Sequence, residues 1–412
     1  MDMDNQINIL TAESVSLLKE MIAIPSPSFN EDEVCSHISN WLTSKGIKHE
    51  RVGNNIIAEH IVDPSHPTLM LCAHIDTVSP CEGYSFDPYK PENSPEGVIQ
   101  GLGSNDDGAS VVSMIAAYRY WIGGISGFQN NPSHDYVAGR LVETVHRTVS
   151  HPLAYPCGQG GSTVLETTDT PQTRINLTLV LTCEEERSGK DGITGLWGKR
   201  LNRIDYAIVG EPTNMKAATS ERGLLVIDAT AHGISGHAAR NEGKNALYIA
   251  LEDIEKLRNH VFTKVSPKMG KVNLNVTQIN AGSAHNVIPD RCDFVIDIRP
   301  TEQYSNEEIL QELQAICESE LKPRNLANRS SATREDSPLQ ATAEKIGIET
   351  FSSATTSDWM RITCDAIKMG PGDSNRSHRK DEYVTVEEIR EGIETYIKFI
   401  RSLDFARDDK EE

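Results

Sequence analysis

His74 and Asp76 form an H-x-D pair that directly follows the apolar run Leu69–Ala73. If that run is a strand, alternation of side chains puts both residues on one side of the backbone, where an imidazole can ligate a cation and a carboxylate can hold its second N–H. Taken alone, the pair is weak evidence and reads more readily as an incidental surface or satisfied core histidine. A second carboxylate source is Gly101-Leu102-Gly103-Ser104-Asn105-Asp106-Asp107-Gly108, whose glycines let a backbone pass close to a metal cluster or simply make a tight turn before a helix. Glu184-Glu185-Glu186 follows another apolar run. Three adjacent acids there are either a solvated strand end or a metal-and-base pair, because crowded carboxylates are costly without a cation nearby. Glu211 lies in Gly210-Glu211-Pro212-Thr213, and His378 in Asn375-Arg376-Ser377-His378. Together the set offers two imidazoles and at least three carboxylates. Mixed N/O donors suit zinc, with cobalt able to take its place, and two such ions sharing a carboxylate make a water-activating hydrolase site.

These residues need a scaffold that brings them to one edge. Leu69–Ala73, Ile175–Thr182, Tyr206–Val209 and Ile367–Met369 read as buried strands of an α/β sheet, and each is followed by polar residues. Ligands in open α/β sheets collect beyond the carboxyl ends of the strands, where His74, Asp76, Glu184 to Glu186, Glu211 and, a little later, His378 would stand. Thr11–Ile24 reads as a helix stopped by Pro25, another helix begins near Gly108, and Thr385 with Glu388 caps a last helix whose face is Ile389, Ile393, Ile397 and Ile400.

Between Gly223 and about Leu321 the pattern changes. It predicts a strand at Leu224–Ala231, a helix at Ala246–Val261, strands at Val272–Ile279 and Cys292–Ile298, a helix at Glu307–Leu321 and a final strand beyond. Leu247, Leu251, Ile254 and Leu257 share the first helix's face, and Ser305 with Glu308 caps the second. The order βαββαβ is ferredoxin-like, and the unit is inserted in the larger α/β domain. The expected division is residues 1–220 with 331–412, and residues 221–330. The stretch Gly123–Gln172, rich in Gly, Ser, Thr, Pro and His, supports no helix or strand and reads as a surface insertion. Its His134, His146, His151 and Cys157 are weaker metal candidates.

A chain of 412 residues suits two packed domains. Forty Lys+Arg against 60 Asp+Glu give a net charge of -20, which repels nucleic acid and anionic membranes. The eight cysteines include no CxxC pair and read as reduced. With neither a signal-like N-terminus nor an apolar run near the ~20 residues of a membrane span, a cytoplasmic protein is expected.

The motifs from Cys72 to Tyr383 resemble, in order, those of the zinc aminoacylase and dipeptidase family that includes acetylornithine deacetylase, succinyl-diaminopimelate desuccinylase and carboxypeptidase G. The resemblance implies a zinc-exopeptidase-like catalytic domain with a lid or dimerisation domain, and a homodimer. It implies two zinc ions: Asp106 bridges them, His74 and Glu211 complete one set of ligands, and Glu186 and His378 the other. It makes Glu185 the general base and Asp76 the residue that orients His74. His237, in Gly233-Ile234-Ser235-Gly236-His237, would bind the developing oxyanion in the partner subunit's site, while Asn286 and Arg299 would hold the substrate carboxylate. The Asp106–Asp107 peptide would be cis. The implied reaction is hydrolysis of an N-acyl amino acid, with N-acetylornithine of arginine biosynthesis or a near analogue the leading substrate; a dipeptidase, a general aminoacylase and a non-catalytic relative are the alternatives. Many relatives carry Asp-Met-Lys-Gly where this chain has Asp106-Asp107-Gly108-Ala109.

Overall fold

Strands covered on both faces show no polar alternation, and Thr68–His74 and Asn176–Thr182 are buried at every position. They pair in parallel with each other, Thr68–His74 pairs in parallel with Tyr206–Val209, and Tyr206–Val209 with Asp365–Lys368. The four runs expected to be buried strands are thus neighbours at the centre of one mixed sheet, of nine strands among the described residues. Its order is Glu50–Val52, Asn55–His60, Asn176–Thr182, Thr68–His74, Tyr206–Val209, Asp365–Lys368, Ala217–Glu221 and Ser331–Ala332, with Thr350–Ser353 also paired to Ala217–Glu221. The computed structural model describes residues 3–123, 175–240 and 242–403. The insertion expected at Gly123–Gln172, with His134, His146, His151 and Cys157, lies outside the described residues apart from Gly123 itself.

One face of the sheet presents Leu69, Leu71, Leu179, Leu181, Ile208 and Ile367 to the helices Met3–Ile22, Asp32–Ser44, Ala109–Trp121 and Val386–Ser402. The alternate residues Met70, Cys72, Val180 and Val209 pack on Trp359, Ile193 and Leu196. The first helix begins at Met3 rather than Thr11, because Ile7 and Leu10 extend the buried stripe of Ser14, Leu17, Leu18 and Met21 at helical spacing. The last helix carries the expected reciprocal cap: Thr385 accepts the Glu388 N–H, and Glu388 accepts the Thr385 N–H at 2.8 Å.

Residues 225–323 form a second, antiparallel sheet in the order Asn273–Ala281, Arg291–Arg299, Leu225–His232, Glu320–Pro323. Leu225, Ile227, Ala229 and Ala231 alternate inward against the helices Ala246–Asn259 and Asn306–Ile316, which completes the order βαββαβ. Two expectations need correction, and one residue explains much of both. The second helix ends at Ile316, not Leu321, and the chain re-enters the sheet at Glu320. Asp253, fully buried on the first helix, accepts the backbone N–H of Glu318 at 3.0 Å and of Ser319 at 2.7 Å, which turns the chain there. The first helix accordingly buries Ala246, Ile249, Ala250, Asp253 and Leu257, leaving Leu251 49% exposed and Leu247 and Ile254 only partly covered.

The two chain segments that join the sheets touch backbone to backbone. A Cβ at Gly223 would stand 2.7 Å from Ser330 N and 2.8 Å from Asn328 O, so only glycine fits. No helix among the described residues is long and apolar enough to cross a membrane.

Candidate metal centre

Because the four central strands run parallel, their carboxyl ends open on one edge. His74 ends its strand, Glu185 and Glu186 follow Asn176–Thr182, Glu211 follows Tyr206–Val209, and His378 lies in the loop after Asp365–Lys368. Asp106 enters from the turn before the helix Ala109–Trp121, and its peptide bond to Asp107 is cis.

The two oxygens of Asp106 face two imidazoles. His74 Nε2 lies 3.1 Å from Asp106 Oδ1, and His378 Nε2 lies 3.6 Å from Asp106 Oδ2. His378 Nε2 is also 2.9 Å from Glu186 Oε2, and His74 Nε2 is 4.0 Å from Glu185 Oε2. Donor atoms of His74, Asp106 and Glu186 fall within 4.8 Å of one another, as do those of His74, Glu185 and Glu211. On the far side of the His74 ring, Nδ1 is 3.0 Å from the Asp76 carbonyl oxygen and 3.4 Å from Asp76 Oδ1.

The three adjacent glutamates diverge because Glu184 adopts φ 60°, a left-handed conformation costing roughly 1–2 kcal/mol for a side chain with a Cβ. The Glu184 carboxylate turns back to accept the Asp191 N–H at 3.0 Å, while Glu185 and Glu186 reach the cluster. All three backbone N–H groups are held by acids. Glu31 Oε1 accepts from Glu184 at 3.2 Å, and Asp76 accepts from Glu185 at 3.0 Å and Glu186 at 3.1 Å. Asp76 therefore supports the histidine and the glutamates at once, with Ser28 Oγ donating to it at 2.7 Å.

Electrostatics reflect the crowding of buried acids in this donor set. Burial, then repulsion from Glu211, Asp358 and Glu186, pushes the Glu185 carboxyl well above the usual range, and burial with repulsion from Asp106 does the same to Glu211. Glu186 raises His378 to about 9. Burial works against a charged His74, but the hydrogen bonds of Asp106 and Asp76 outweigh it and raise the imidazole well above its ordinary value. Divalent cations would supply the positive charge that so many buried acids require, and nitrogen and oxygen donors in this mixture suit them.

Asp358 and Glu31 escape sequence reasoning. Asp358, in the short turn Asp358–Arg361, accepts from Thr182 Oγ1 at 2.7 Å, and burial pushes its carboxyl up to about 7. Glu31 is fully buried just ahead of the helix Asp32–Ser44. Neither follows a strand; the one available signal is an acid placed at the start of a short helical segment.

The remaining candidates stand in the smaller sheet's unit. His237 is exposed, pairs with Val287 in a two-residue ladder and accepts the Ala239 N–H at 3.1 Å. Asn286 is exposed and uses its carbonyl to accept the Ala238 N–H. Arg299 is gripped by Asp297 through Nε at 2.9 Å and Nη2 at 3.2 Å. Among the described residues, none of the three makes a hydrogen bond or ion pair with the cluster.

Residues 219–325 match the peptidase dimerisation domain family. Acetylornithine deacetylase of Myxococcus xanthus is 29% identical over 238 residues, 53% of this chain and 62% of that one, so the match spans less than two thirds of that relative. Succinyl-diaminopimelate desuccinylase of Wolbachia pipientis subsp. Culex pipiens is 23% identical over 95% of this chain and 93% of its own. The fold is shared with an M20 family metallo-carboxypeptidase from Sulfolobus solfataricus, at TM-score 0.68 and 13% identity over 95% of this chain and 99% of that one. It is shared too with a dinuclear metal binding peptidase of the M20 family from Bacillus subtilis, at TM-score 0.66 and 14% identity over 96% and 98%. Fold and paired His/Asp/Glu clusters define a dinuclear metal-binding hydrolase. The chain is similar to M20 family metallopeptidases, in sequence through residues 219–325 and in fold along most of its length.

Proposed function

We propose that this chain removes the acyl group from an N-acyl amino acid, N-acetylornithine or a close analogue such as acetylcitrulline or succinylornithine, as a step of arginine biosynthesis. The observation that carries the reading is Asp106, whose carboxylate turns one oxygen to His74 at 3.1 Å and the other to His378 at 3.6 Å, as a bridge between two cations requires. His74 and Glu211 would complete one ion's ligands, and Glu186 and His378 the other's. Two zinc ions, or cobalt in their place, would polarise the amide carbonyl and make water a nucleophile near neutral pH.

The chain's own groups handle the protons. Glu185 takes a proton from the attacking water and passes it to the amide nitrogen as the C–N bond breaks, leaving a free amine and a carboxylate. Asp76 holds the His74 ring through its carbonyl oxygen and the backbone of Glu185 through its carboxylate, so the base and one metal ligand are set by the same residue. Asn286 and Arg299 hold the substrate carboxylate, Arg299 exchanging Asp297 for it. His237 of the partner subunit stabilises the oxyanion.

The acyl-amino-acid reading draws on the two relatives described above, which are named as a deacetylase and a desuccinylase. A panel of N-acetylornithine, N-acetylcitrulline, N-succinylornithine and unsubstituted dipeptides, assayed on the zinc-loaded protein, tests it. The acylated amino acids should show the higher kcat/KM by roughly tenfold or more. Preference for the dipeptides would replace the deacylase reading with a peptidase.

A further inference from the structure

Outside the proposed ligand set, one buried acid touches the Asp106 turn. Glu382, 2% exposed, accepts the backbone N–H of Asn105 at 2.9 Å and of Asp106 at 3.0 Å, both through Oε1. Asp106 has φ -119° and ψ 98°, outside the helical range, so the helix that follows does not engage this part of the turn. Left without Glu382, two buried donors would lack a partner, which a folded protein rarely tolerates.

The position of Glu382 is itself fixed. Its carbonyl accepts the Gly101 N–H at 3.0 Å, and Tyr383–Thr385 pairs antiparallel with Val98–Gln100, Tyr383 opposite Gln100. A second strap runs the other way. Asn105 Oδ1 accepts the Asp373 N–H at 2.9 Å, and Asn105 Nδ2 donates to the Asp373 carbonyl at 3.2 Å and to Ser377 Oγ at 3.4 Å, one residue before His378. The turn bearing Asp106 and the loop bearing His378 are therefore tied twice, once by a side chain from each.

The geometry points to Glu382 as a positioning residue for the metal pair: its acceptor oxygen holds the Asp106 backbone where the carboxylate can face both ligand histidines. This rests on the two-metal reading. Such sites tolerate only about 0.5 Å of displacement, and a lost supporting hydrogen bond typically costs 10–100-fold in metal affinity.

Two conservative variants separate reach from charge. Glu382→Gln keeps an oxygen at the same distance and loses the charge; Glu382→Asp keeps the charge and withdraws the oxygen by one methylene. Metal-free full-length protein is titrated with zinc against a chromophoric chelator, and its thermal unfolding is followed in parallel. Glu382→Asp should bind zinc about 10–100-fold more weakly, and Glu382→Gln close to wild type. Three results would overturn the inference: unchanged affinity in Glu382→Asp, equal or greater weakening in Glu382→Gln, or a lower melting temperature in metal-free Glu382→Asp with its zinc affinity intact. A wild-type chain that takes up fewer than two ions would instead refute the two-metal reading.

Discussion

At the mouth of the large sheet the His74 side chain is 2% exposed, Asp76 is fixed by Ser28, Glu185 and Glu186, and the donor atoms of two triads already converge, each within 4.8 Å. In the smaller sheet's unit His237 and Asn286 are exposed, and the Arg299 fork is occupied by Asp297. The first region gathers its candidate ligands within one chain. The second holds groups that, on the proposed function, would meet the cluster only when another surface or a relative movement brought them there. This difference follows from chemistry: ligands for a cation must be preorganised and kept from water, whereas groups that hold a substrate must let it enter and leave.

The sharpest break in that comparison comes from the base. Glu185→Ala should keep its metals and lose about 10²–10⁴ in kcat, measured as steady-state rate beside metal content. Glu184→Ala should leave the chemistry largely intact, since that carboxylate faces Asp191; equal loss in both variants would contradict the division of labour among the three glutamates. A smaller effect is expected across the cleft. Arg299→Ala should raise KM by roughly 10–100-fold with kcat less affected, the worth of a charge-assisted hydrogen bond, and a loss confined to kcat would place Arg299 in the reaction itself.

Mixing Glu185→Ala chains with His237→Ala chains asks whether the second region belongs to a neighbour. Random exchange makes about half the dimers mixed, each with one intact site, so activity should recover to roughly a quarter of wild type. No recovery despite demonstrated exchange would place His237 within its own chain's site or outside the reaction. The smallest effect belongs to the cap of the last helix. Thr385→Ala removes an observed cap and should cost about 1 kcal/mol by denaturant unfolding with kcat/KM unchanged.

Strand ends were legible because buried parallel strands write continuous apolar runs, and a polar residue straight after one must sit at the sheet's edge. His74, Glu185, Glu186 and Glu211 follow that rule, and His378 follows it at a distance. The separate fates of the glutamates were not legible in the same way, since they depend on the left-handed backbone at Glu184. Periodicity also misplaced the Ala246–Asn259 helix: Leu251 and Ile254 outrank Asp253 on any apolar scale, yet Asp253 is buried because it turns the chain at Glu318 and Ser319. Glu31, Asp358 and Glu382 were missed for a related reason. They act on backbone N–H groups or on one hydroxyl distant in sequence, contacts that leave no local spacing to read.

The central claim is that one chain carries a complete site for two metal ions bridged by Asp106, and metal analysis of the purified, zinc-reconstituted protein tests it most directly. The account predicts close to two ions per chain, with hydrolysis abolished by chelation and restored by zinc or cobalt. One tightly held ion or none in a fully active enzyme would contradict it.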